Sequence, residues 1–367
     1  MRKIAFFVIT WLLTFSVCLG VAEPVKITGK SIWGDTKKKH TYIDGAVKIV
    51  QGKTVINTEN AVIDLDLKSV TLTKGVILRQ SEIAIQGKTL KYDLRQKVGD
   101  FDGGVQLERY RVEADPGQKS KEPFALTCDQ LHLEVDDKNF LAGGNVRFTH
   151  DDFNGAATSV EYNDQRQELL FSGQALLKRP QKTEADGKTK DPFELSSSRI
   201  LLNIDQKNFD ASEDAVFRHE EFNGSADRMQ YDDQLQLLAF DGHATLNRPK
   251  QTAKNGKAKE PFSLNCQQLE FRVETRDFTA SGEVALEHSD FTGTAERVEY
   301  LDQFQELIFI GNARLKRPKG EEIHGERVKI LMNEKSFTVV KGVNLSFEVS
   351  EDNSSAPQRP KGKPGKR

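Results

Sequence analysis

Apolar and polar residues alternate with a period of two along most of this chain. The alternation is regular from Phe140 to Phe148 and again from Leu169 to Leu177, which is typical of β-strands with one buried face. Polar segments at 136–139 and 163–166 separate such stretches and predict hairpin turns. Beyond the first 22 residues no helical period of useful length occurs, so the sequence predicts an all-β fold.

The apolar face changes parity once inside a predicted strand. Phe124 and Leu126 have even numbers, whereas Leu131, Leu133 and Val135 have odd numbers. Successive side chains in a strand point to opposite faces, so both sets of apolar residues can lie on one face only if an extra residue interrupts the strand between them. We therefore expect a bulge or bend near residues 128–130.

A 69-residue unit occurs three times, opened by Pro123, Pro192 and Pro261. The units end in Arg-Pro at Pro180, Pro249 and Pro318, and each divides into two related halves. The positions that recur in this register are Phe153, Phe222 and Phe291; Tyr162, Tyr231 and Tyr300; and Gly173, Gly242 and Gly311. A fixed period indicates one supersecondary unit stacked on itself, so function should lie in a surface that the stack repeats.

The pattern divides the chain into five segments. Residues 1–22 join a basic start to an apolar stretch ending in small residues, which predicts a cleavable signal peptide; a retained membrane anchor is the open alternative. We expect degenerate repeats over 23–111, three repeats continuous with them over 112–318, a capping half-repeat over 319–349 and a disordered basic tail over 350–367.

Charge and cysteine content narrow the class of protein. The net charge is −2, which argues against a nucleic-acid partner. Cys128 and Cys266 occupy equivalent positions two units apart, with Ser197 between them. Stacked equivalents are too far apart for a disulfide, so we expect free, half-buried thiols.

Candidate catalytic and metal-binding residues all follow the repeat. His150, His219 and His288 are one unit apart, too far for one metal ion, so we interpret them as turn residues paired with neighbouring carboxylates. The recurring acidic residues, interpreted as solvated turns, are Asp136, Asp205 and Glu274 in one set and Asp164, Asp233 and Asp302 in another. No phosphate-binding loop, nucleophile elbow or zinc-protease motif occurs after the signal segment. The sequence predicts no enzyme, metal or cofactor.

A repeating apolar stripe is the candidate binding surface. Its predicted members are Phe140, Phe148, Phe171, Phe209, Phe217, Phe240, Phe278, Phe309, Leu177, Leu246 and Leu315. They could form a solid core, or they could line a long trough with room provided by small partners. Those partners are Gly173, Ala175, Gly242, Ala244, Gly311 and Ala313.

Lysine-rich segments join the repeats, at 179–191 and 248–260. They are expected as loops that project from one edge of the stack. The lysines are Lys182, Lys188, Lys190, Lys250, Lys254, Lys257 and Lys259. We favour solvated loops over loops that contact anionic groups at the rim of the trough.

Several short motifs resemble OstA/LptA-type domains of the lipopolysaccharide transport system. They are Ile27–Ser31, Asp44–Ile49, Asn60–Asp64 and Thr89–Asp93, and Gly-x-(Val/Ala)-x-(Leu/Phe) strands continue the likeness across most of residues 25–349. The resemblance implies an elongated open β-jellyroll in the periplasm whose apolar interior, here the stripe, holds lipid A acyl chains. It also implies strand-edge pairing with LptC-like and LptD-like proteins, or head-to-tail pairing of copies.

Three functions follow from these patterns. The first is a non-enzymatic lipopolysaccharide bridge, and the second is a structural or adhesive envelope protein with a solid core and no lipid ligand. The third, an enzyme acting on polysaccharides, is weakest because each acidic cluster is periodic whereas a catalytic pair is a specific one.

Overall fold

The structure, a computed structural model, describes residues 23–111, 121–183, 187, 189–252, 258–318 and 320–346. Within these ranges the chain forms strands, turns and irregular segments, as predicted. None of the described residues forms a helix with the length and apolar character to cross a membrane. The predicted signal peptide and basic tail lie outside the described residues.

The described residues form 28 strands. In chain order they are β1 (Val25–Thr28), β2 (Ser31–Asp35), β3 (His40–Gln51), β4 (Thr54–Asp64), β5 (Ser69–Leu72), β6 (Val76–Gln80), β7 (Ile83–Gly87), β8 (Thr89–Asp93), β9 (Val98–Arg109), β10 (Phe124–Glu134), β11 (Asn139–Thr149), β12 (Asn154–Asn163), β13 (Glu168–Arg179), β14 (Lys182–Thr183), β15 (Thr189–Lys190), β16 (Phe193–Asn203), β17 (Asn208–His219), β18 (Asn223–Asp232), β19 (Leu237–Arg248), β20 (Gln251–Thr252), β21 (Ala258–Lys259), β22 (Phe262–Arg272), β23 (Phe278–His288), β24 (Phe291–Leu301), β25 (Glu306–Lys316), β26 (Glu322–Leu331), β27 (Ser336–Val340) and β28 (Asn344–Ser346).

Most strands pair antiparallel with the next strand along the chain, in one sheet of 24 strands. The small pairs β14–β15 and β20–β21 lie outside it, in the lysine-rich segments. Near the N-terminus two short strands replace one long strand: β1 and β2 both pair with β3, β5 and β6 with β4, and β7 and β8 with β9. β9 pairs directly with β10, so the N-terminal strands and the strands from β10 onward belong to one continuous sheet. The result is an all-β jellyroll made from a meander.

Each long strand carries a register shift near its middle, which divides it into two halves. In β10 the shift lies between Thr127 and Gln130, where the change of parity predicts it. The first half of β10 pairs with the second half of β11, and the second half of β10 with the first half of β11. This alternation continues through β26 and produces two half-sheets. We name half-sheet A the one that contains the second half of β10 and half-sheet B the one that contains its first half.

The inner faces of the two half-sheets meet. Phe148 in half-sheet B lies 5.6 Å from Phe171 in half-sheet A, measured between ring centroids, and both side chains are buried. Phe217 in B and Phe240 in A repeat the contact at 6.0 Å. The hydrophobic core is therefore the space between the half-sheets, and it continues from layer to layer.

The recurring glycines at the bulges do not make room in this core, contrary to our expectation. Gly173, Gly242 and Gly311 have φ values of +75° to +76°, in the left-handed region that glycine adopts most readily. A Cβ atom at Gly242 would meet the outward-facing Asp227 side chain. These glycines permit the bend, whereas Ala175, Ala244 and Ala313 do lie buried inside.

A different glycine set makes the room. An ideal Cβ atom at Gly155, in half-sheet B, would lie 2.6 Å from the Phe171 ring of half-sheet A. Gly224 has the same relation to Phe240, at 2.6 Å, and Gly293 to Phe309, at 2.5 Å. The absent side chain thus allows the opposing phenyl ring to approach the backbone.

Substitution of this second glycine set should destabilise the fold. In Gly224→Ala the new methyl group would meet both the Phe240 ring and the Thr245 carbonyl oxygen, 2.8 Å away. Overpacking of a tight core costs about 1–3 kcal/mol, so we expect a lower urea midpoint. Gly143→Ala is the matched control, because nothing lies within 4 Å of its Cβ position. Equal midpoints for the two variants would contradict this account of the core.

Candidate functional site

All eleven residues of the predicted stripe lie on the inner faces. Half-sheet A carries Phe140, Phe171, Phe209, Phe240, Phe278 and Phe309, whereas half-sheet B carries Phe148, Phe217, Leu177, Leu246 and Leu315. All are at most 4% exposed. The stripe is thus a continuous apolar interior to which both half-sheets contribute.

The stripe is closed by direct contact between the half-sheets. Phe193 in half-sheet B lies 5.8 Å from Phe209 and 5.4 Å from Tyr231, both in half-sheet A. Such tilted and edge-to-face arrangements are favourable for aromatic pairs. A guest molecule inside the stripe would have to replace these contacts.

A buried arginine joins the two half-sheets where their outer ends meet. We call this line the seam. Arg179, at the outer end of half-sheet B, donates hydrogen bonds to the hydroxyl of Tyr231 and to Oε1 of Gln236 (3.0 Å), both at the outer end of half-sheet A. The Tyr231 hydroxyl in turn donates to Oδ1 of Asp233 at 3.0 Å. We name this arginine, tyrosine, aspartate and glutamine set a clasp.

The clasp occurs three times along the seam. Its members are Arg109, Tyr162, Asp164 and Gln167 in the first copy; Arg179, Tyr231, Asp233 and Gln236 in the second; and Arg248, Tyr300, Asp302 and Gln305 in the third. Each arginine also lies over an aromatic ring, as Arg179 does over Phe193 at 4.4 Å. A desolvated cation over a ring is attracted to it. The buried arginines therefore have both polar and aromatic partners.

A lysine from each connecting segment extends the clasp. Lys190 lies 2.9 Å from Oδ2 of Asp233, and Lys259 lies 3.1 Å from Oδ2 of Asp302. Lys121 bonds Asp164 in the same way. Our interpretation of these segments as solvated loops is wrong for Lys190 and Lys259, because their amines lie against the seam.

Other predictions for the lysine-rich segments have mixed outcomes. Lys182 lies 2.5 Å from Asp152, so it too is held against the protein. Lys250 is exposed, as expected of a solvated loop. Lys188, Lys254 and Lys257 lie outside the described residues.

The three clasp aspartates also differ from the prediction, which made them solvated turn residues. Asp164 and Asp302 are buried, and Asp233 is half-buried. For Asp164, burial alone would raise the carboxyl pKa, but hydrogen bonds and charge from Lys121 outweigh burial and lower it. Burial raises the pKa of the Tyr162, Tyr231 and Tyr300 hydroxyls well above the ordinary value. Each clasp thus holds a neutral tyrosine between a cation and a carboxylate.

The first layer of the stack has a neutral version of the same contact. Gln51 ends β3 at the position that Arg109 has in β9, and its Oε1 accepts a hydrogen bond from the Tyr92 hydroxyl at 3.2 Å. Its side-chain amide donates to the Leu94 carbonyl at 2.8 Å. The clasps are therefore a variation on a general feature of the seam.

The repeat contains a signal for the clasps that the sequence predictions above did not use. Arg179 shares its odd numbering with Ala175 and Leu177, which places it on the buried face of β13. A charged residue that falls on the buried face of the strand in every unit indicates a buried partner for that charge, because an unpaired buried charge is costly. The recurring Tyr-x-Asp-x-x-Gln motif is that partner.

The three repeated histidines stabilise turns, although not through carboxylates. Nδ1 of His150 accepts a hydrogen bond from the backbone amide of Asp152 at 3.1 Å, and His219 and His288 repeat the contact with the residue two positions on. His219 also lies 3.7 Å from a carboxylate oxygen of Asp191. Burial lowers the pKa of all three imidazoles. Within the described ranges no three histidine, cysteine or acidic side chains are arranged to hold a metal ion.

The prediction of free cysteine thiols is confirmed, although the thiols are fully buried and not half-buried as expected. Cys128 and Cys266 are buried, unpaired thiols on the inner face. Burial raises the pKa of both to about 11, so they remain protonated and act as small apolar groups.

Comparison with known proteins identifies a family for the N-terminal part of the stack. Residues 26–208 match the family model of the LptA/(LptD N-terminal domain) LPS transport protein. The solved structures that match include LptH from Pseudomonas aeruginosa, described as the LptA homologous periplasmic component of the conserved lipopolysaccharide transport device. It shares 14% identity with this chain at a TM-score of 0.24, covering 41% of this chain and 83% of LptH. A search of curated proteins finds no significant match.

Loss of a clasp hydroxyl should weaken the seam. In Tyr231→Phe, Arg179 and Asp233 each lose one buried hydrogen bond. An unsatisfied buried polar group costs about 1–3 kcal/mol, so we expect a lower urea midpoint and faster amide exchange in β18. Tyr110→Phe is the matched control, because the Tyr110 hydroxyl donates to the exposed Glu108 and lies outside the clasps. A Tyr231→Phe midpoint equal to that of the control would refute the clasp as a stabilising contact.

The buried histidines make stability fall in mild acid. Their folded-state pKa values lie below the ordinary value of 6.5, so the unfolded chain binds protons first as pH falls. We expect the free energy of unfolding to decrease from pH 7.5 to 5.5. The carboxyl of Asp152, whose pKa Lys182 and Lys207 lower to about 2 against the effect of burial, contributes only below this window.

Variants assign this pH dependence to the buried imidazoles. His219→Gln should flatten the decrease of the unfolding free energy between pH 7.5 and 5.5, measured by urea denaturation. His243→Gln is the control, since the His243 side chain is 83% exposed. An unchanged slope in His219→Gln would show that other groups cause the effect.

Proposed function

We propose that this chain, whose residues 26–208 belong to the LptA/LptD N-terminal family of LPS transport proteins, acts as a non-enzymatic carrier that holds lipopolysaccharide by its acyl chains. The site of action is the periplasm, in agreement with the signal-peptide pattern of residues 1–22. The observation that carries the proposal is the continuous apolar interior between the two half-sheets. Acyl chains would lie along the stripe, with the polar part of the lipid at the seam.

The architecture provides a way for such a guest to enter. The two halves of each strand are joined covalently at the bulge, whereas the contacts across the seam come from side chains, such as Arg179 to the Tyr231 hydroxyl and Gln51 to the Leu94 carbonyl oxygen. Separation at the seam would turn the interior into an open groove. Contacts between the half-sheets would then be replaced by contacts with acyl chains, each buried CH₂ group contributing about 0.8 kcal/mol.

The clasps oppose this separation and so limit it. Opening one layer exposes an arginine such as Arg179, which is 3% exposed in the closed form. Water can solvate the guanidinium once the seam is open, so the cost is lost pairing and not a stranded charge. The first layer, joined by Gln51 and Tyr92 without an arginine, should open most easily.

The two ends of the stack suit strand-edge pairing with other domains. Ile32 of β2 is 60% exposed at the N-terminal end, and Val340 and Leu345 are about half exposed at the C-terminal end. Exposed apolar side chains beside an edge strand favour addition of another strand. We infer that LptC-like and LptD-like partners, or further copies of this chain, extend the stack there.

A structural protein with a solid core is the second candidate. The ring contacts of 5–6 Å between the half-sheets favour it, because they leave the stripe filled in this structure. A solid core would take no lipid at any position. Capture of lipid inside the stack separates the two candidates.

Photo-crosslinking at the stripe tests lipid binding. A photoreactive phenylalanine analogue at Phe171, Phe240 or Phe309 should form a lipopolysaccharide adduct, seen as a mobility shift on gels. The same analogue at Leu141, an outward-facing and exposed position on β11, is the control. We expect capture at the interior positions well above that at Leu141. A folded protein that gives no adduct at any of the three would favour the solid core.

A further inference from the structure

Within the described residues, half of a fourth copy of the clasp is present at the C-terminal end of the stack. Arg317 lies one unit after Arg248, directly after β25, and it precedes a proline as Arg179 and Arg248 do. In each complete clasp the tyrosine lies three strands after the arginine, counted along the large sheet. For example, Arg248 ends β19 and Tyr300 is on β24, with β22 and β23 between them. After β25 the described chain provides β26 and then the short β27 and β28. The strand that would carry the tyrosine is not among them.

The ring that receives the tyrosine is nevertheless in place. In the complete clasps the tyrosine stacks on a phenylalanine of the preceding strand, as Tyr300 does on Phe278 at 5.1 Å. Phe337 occupies the position of Phe278, because it pairs with Ile330 as Phe278 pairs with Phe271. At this end the Arg317 guanidinium lies over the Phe337 ring at 4.8 Å. Arg317 also forms an ion pair with Glu321 at 3.1 Å. Glu321 lies at the position opposite the arginine that Phe262 occupies in the third clasp.

A cavity of about 400 Å³ adjoins these groups. Its lining includes Arg317, Phe337, Leu315, Met332 and Phe291. Arg317 and Phe337 are both partly exposed, whereas their equivalents Arg248 and Phe278 are buried. The end of the stack therefore presents an apolar pocket with one accessible guanidinium, next to the last strands of the sheet.

We propose that this pocket is the receiving half of a clasp, and that it binds an edge strand carrying Tyr-x-Asp-x-x-Gln from a partner protein. The proposal rests on the strand-edge pairing in the proposed function and names the chemistry of the partner strand. The tyrosine ring stacks on Phe337, its hydroxyl accepts from Arg317, and the aspartate takes the place of Glu321 beside the guanidinium. All three complete clasps use this motif, at Tyr162–Gln167, Tyr231–Gln236 and Tyr300–Gln305.

A second copy of this chain does not fit the pocket as well. Its first strand pair, β1 and β2, would be the incoming edge. In β24 the clasp tyrosine, Tyr300, lies opposite Leu307, the second residue of the next strand. The corresponding residue of β2, opposite the second residue of β3, is Gly34, so glycine occupies the tyrosine position. Arg317 would then lack a hydroxyl partner. The pocket thus favours a different protein over a further copy.

Peptide binding with a double-mutant cycle tests the proposal. The probe is a fluorescent peptide of residues 291–305, which contains Tyr300, Asp302 and Gln305. Anisotropy with the full chain should show saturable binding, weakened about tenfold or more by Tyr300→Phe in the peptide, since a hydrogen bond to a charged group contributes about 1.5 kcal/mol or more. In the protein variant Arg317→Gln the tyrosine and phenylalanine peptides should bind equally. Arg314→Gln, an exposed position on the same strand, should retain the difference.

Four results would overturn the proposal. They are equal affinity of the two peptides for the unchanged protein, a difference that survives in Arg317→Gln, no saturable binding of either peptide, and equal binding of a peptide of residues 25–38 from the N-terminal edge. Binding that requires removal of residues 347–367 would instead identify the chain's own tail as the occupant. Lipid crosslinking at Phe240 should be unchanged in Arg317→Gln. The peptide experiment therefore tests the partner site, and the crosslinking experiment tests lipid binding independently of it.

Discussion

The bend at the middle of every long strand is the constraint on which the rest of this structure depends. Neighbouring long strands differ by one residue at this bend, so the register shifts in every such pair; six of the strands with the extra residue carry glycine there at φ of +75° to +79°. In the strands without the extra residue, such as β10, the parity of the buried face reverses. A flat meander would expose one side of its sheet, whereas the repeated bend folds the sheet so that its halves face each other. The interior stripe and the seam are both consequences of this repeated bend.

Two kinds of contact then hold the half-sheets together, and they differ in whether water can replace the partners. The interior relies on phenyl rings that reach across to glycines of the opposite half-sheet, as Phe240 does to Gly224. These contacts are lost only when something apolar replaces them. The seam relies on buried arginines held by tyrosine, aspartate and aromatic rings, and water can replace those partners once the seam opens. The fold thus combines an apolar interior with a polar closure that water can compete with.

This division gives the lysine-rich segments a physical role. They place Lys121, Lys190 and Lys259 on the clasp aspartates, so each segment links the end of one half-sheet to the other. The segments belong to the closure of the stack and are not simply solvating loops. They also explain how three clasps can contain a carboxylate at low solvent exposure, since every such carboxylate has at least two cations nearby.

The sequence alone determined the all-β class, the bulge near residue 128, the inward parity of the stripe and the free cysteines, because strand periodicity and repeat spacing are local properties. It also carried the family resemblance that residues 26–208 bear out. It did not determine which glycines face the interior, nor that Asp233 and Lys190 meet at a seam, because the bend and the offset between half-sheets decide which distant residues become neighbours. Arg179 and Tyr231 are 52 residues apart in the chain and touch only because the meander has folded on itself. Local alternation fixes which way a side chain points, and only the tertiary structure fixes what it meets.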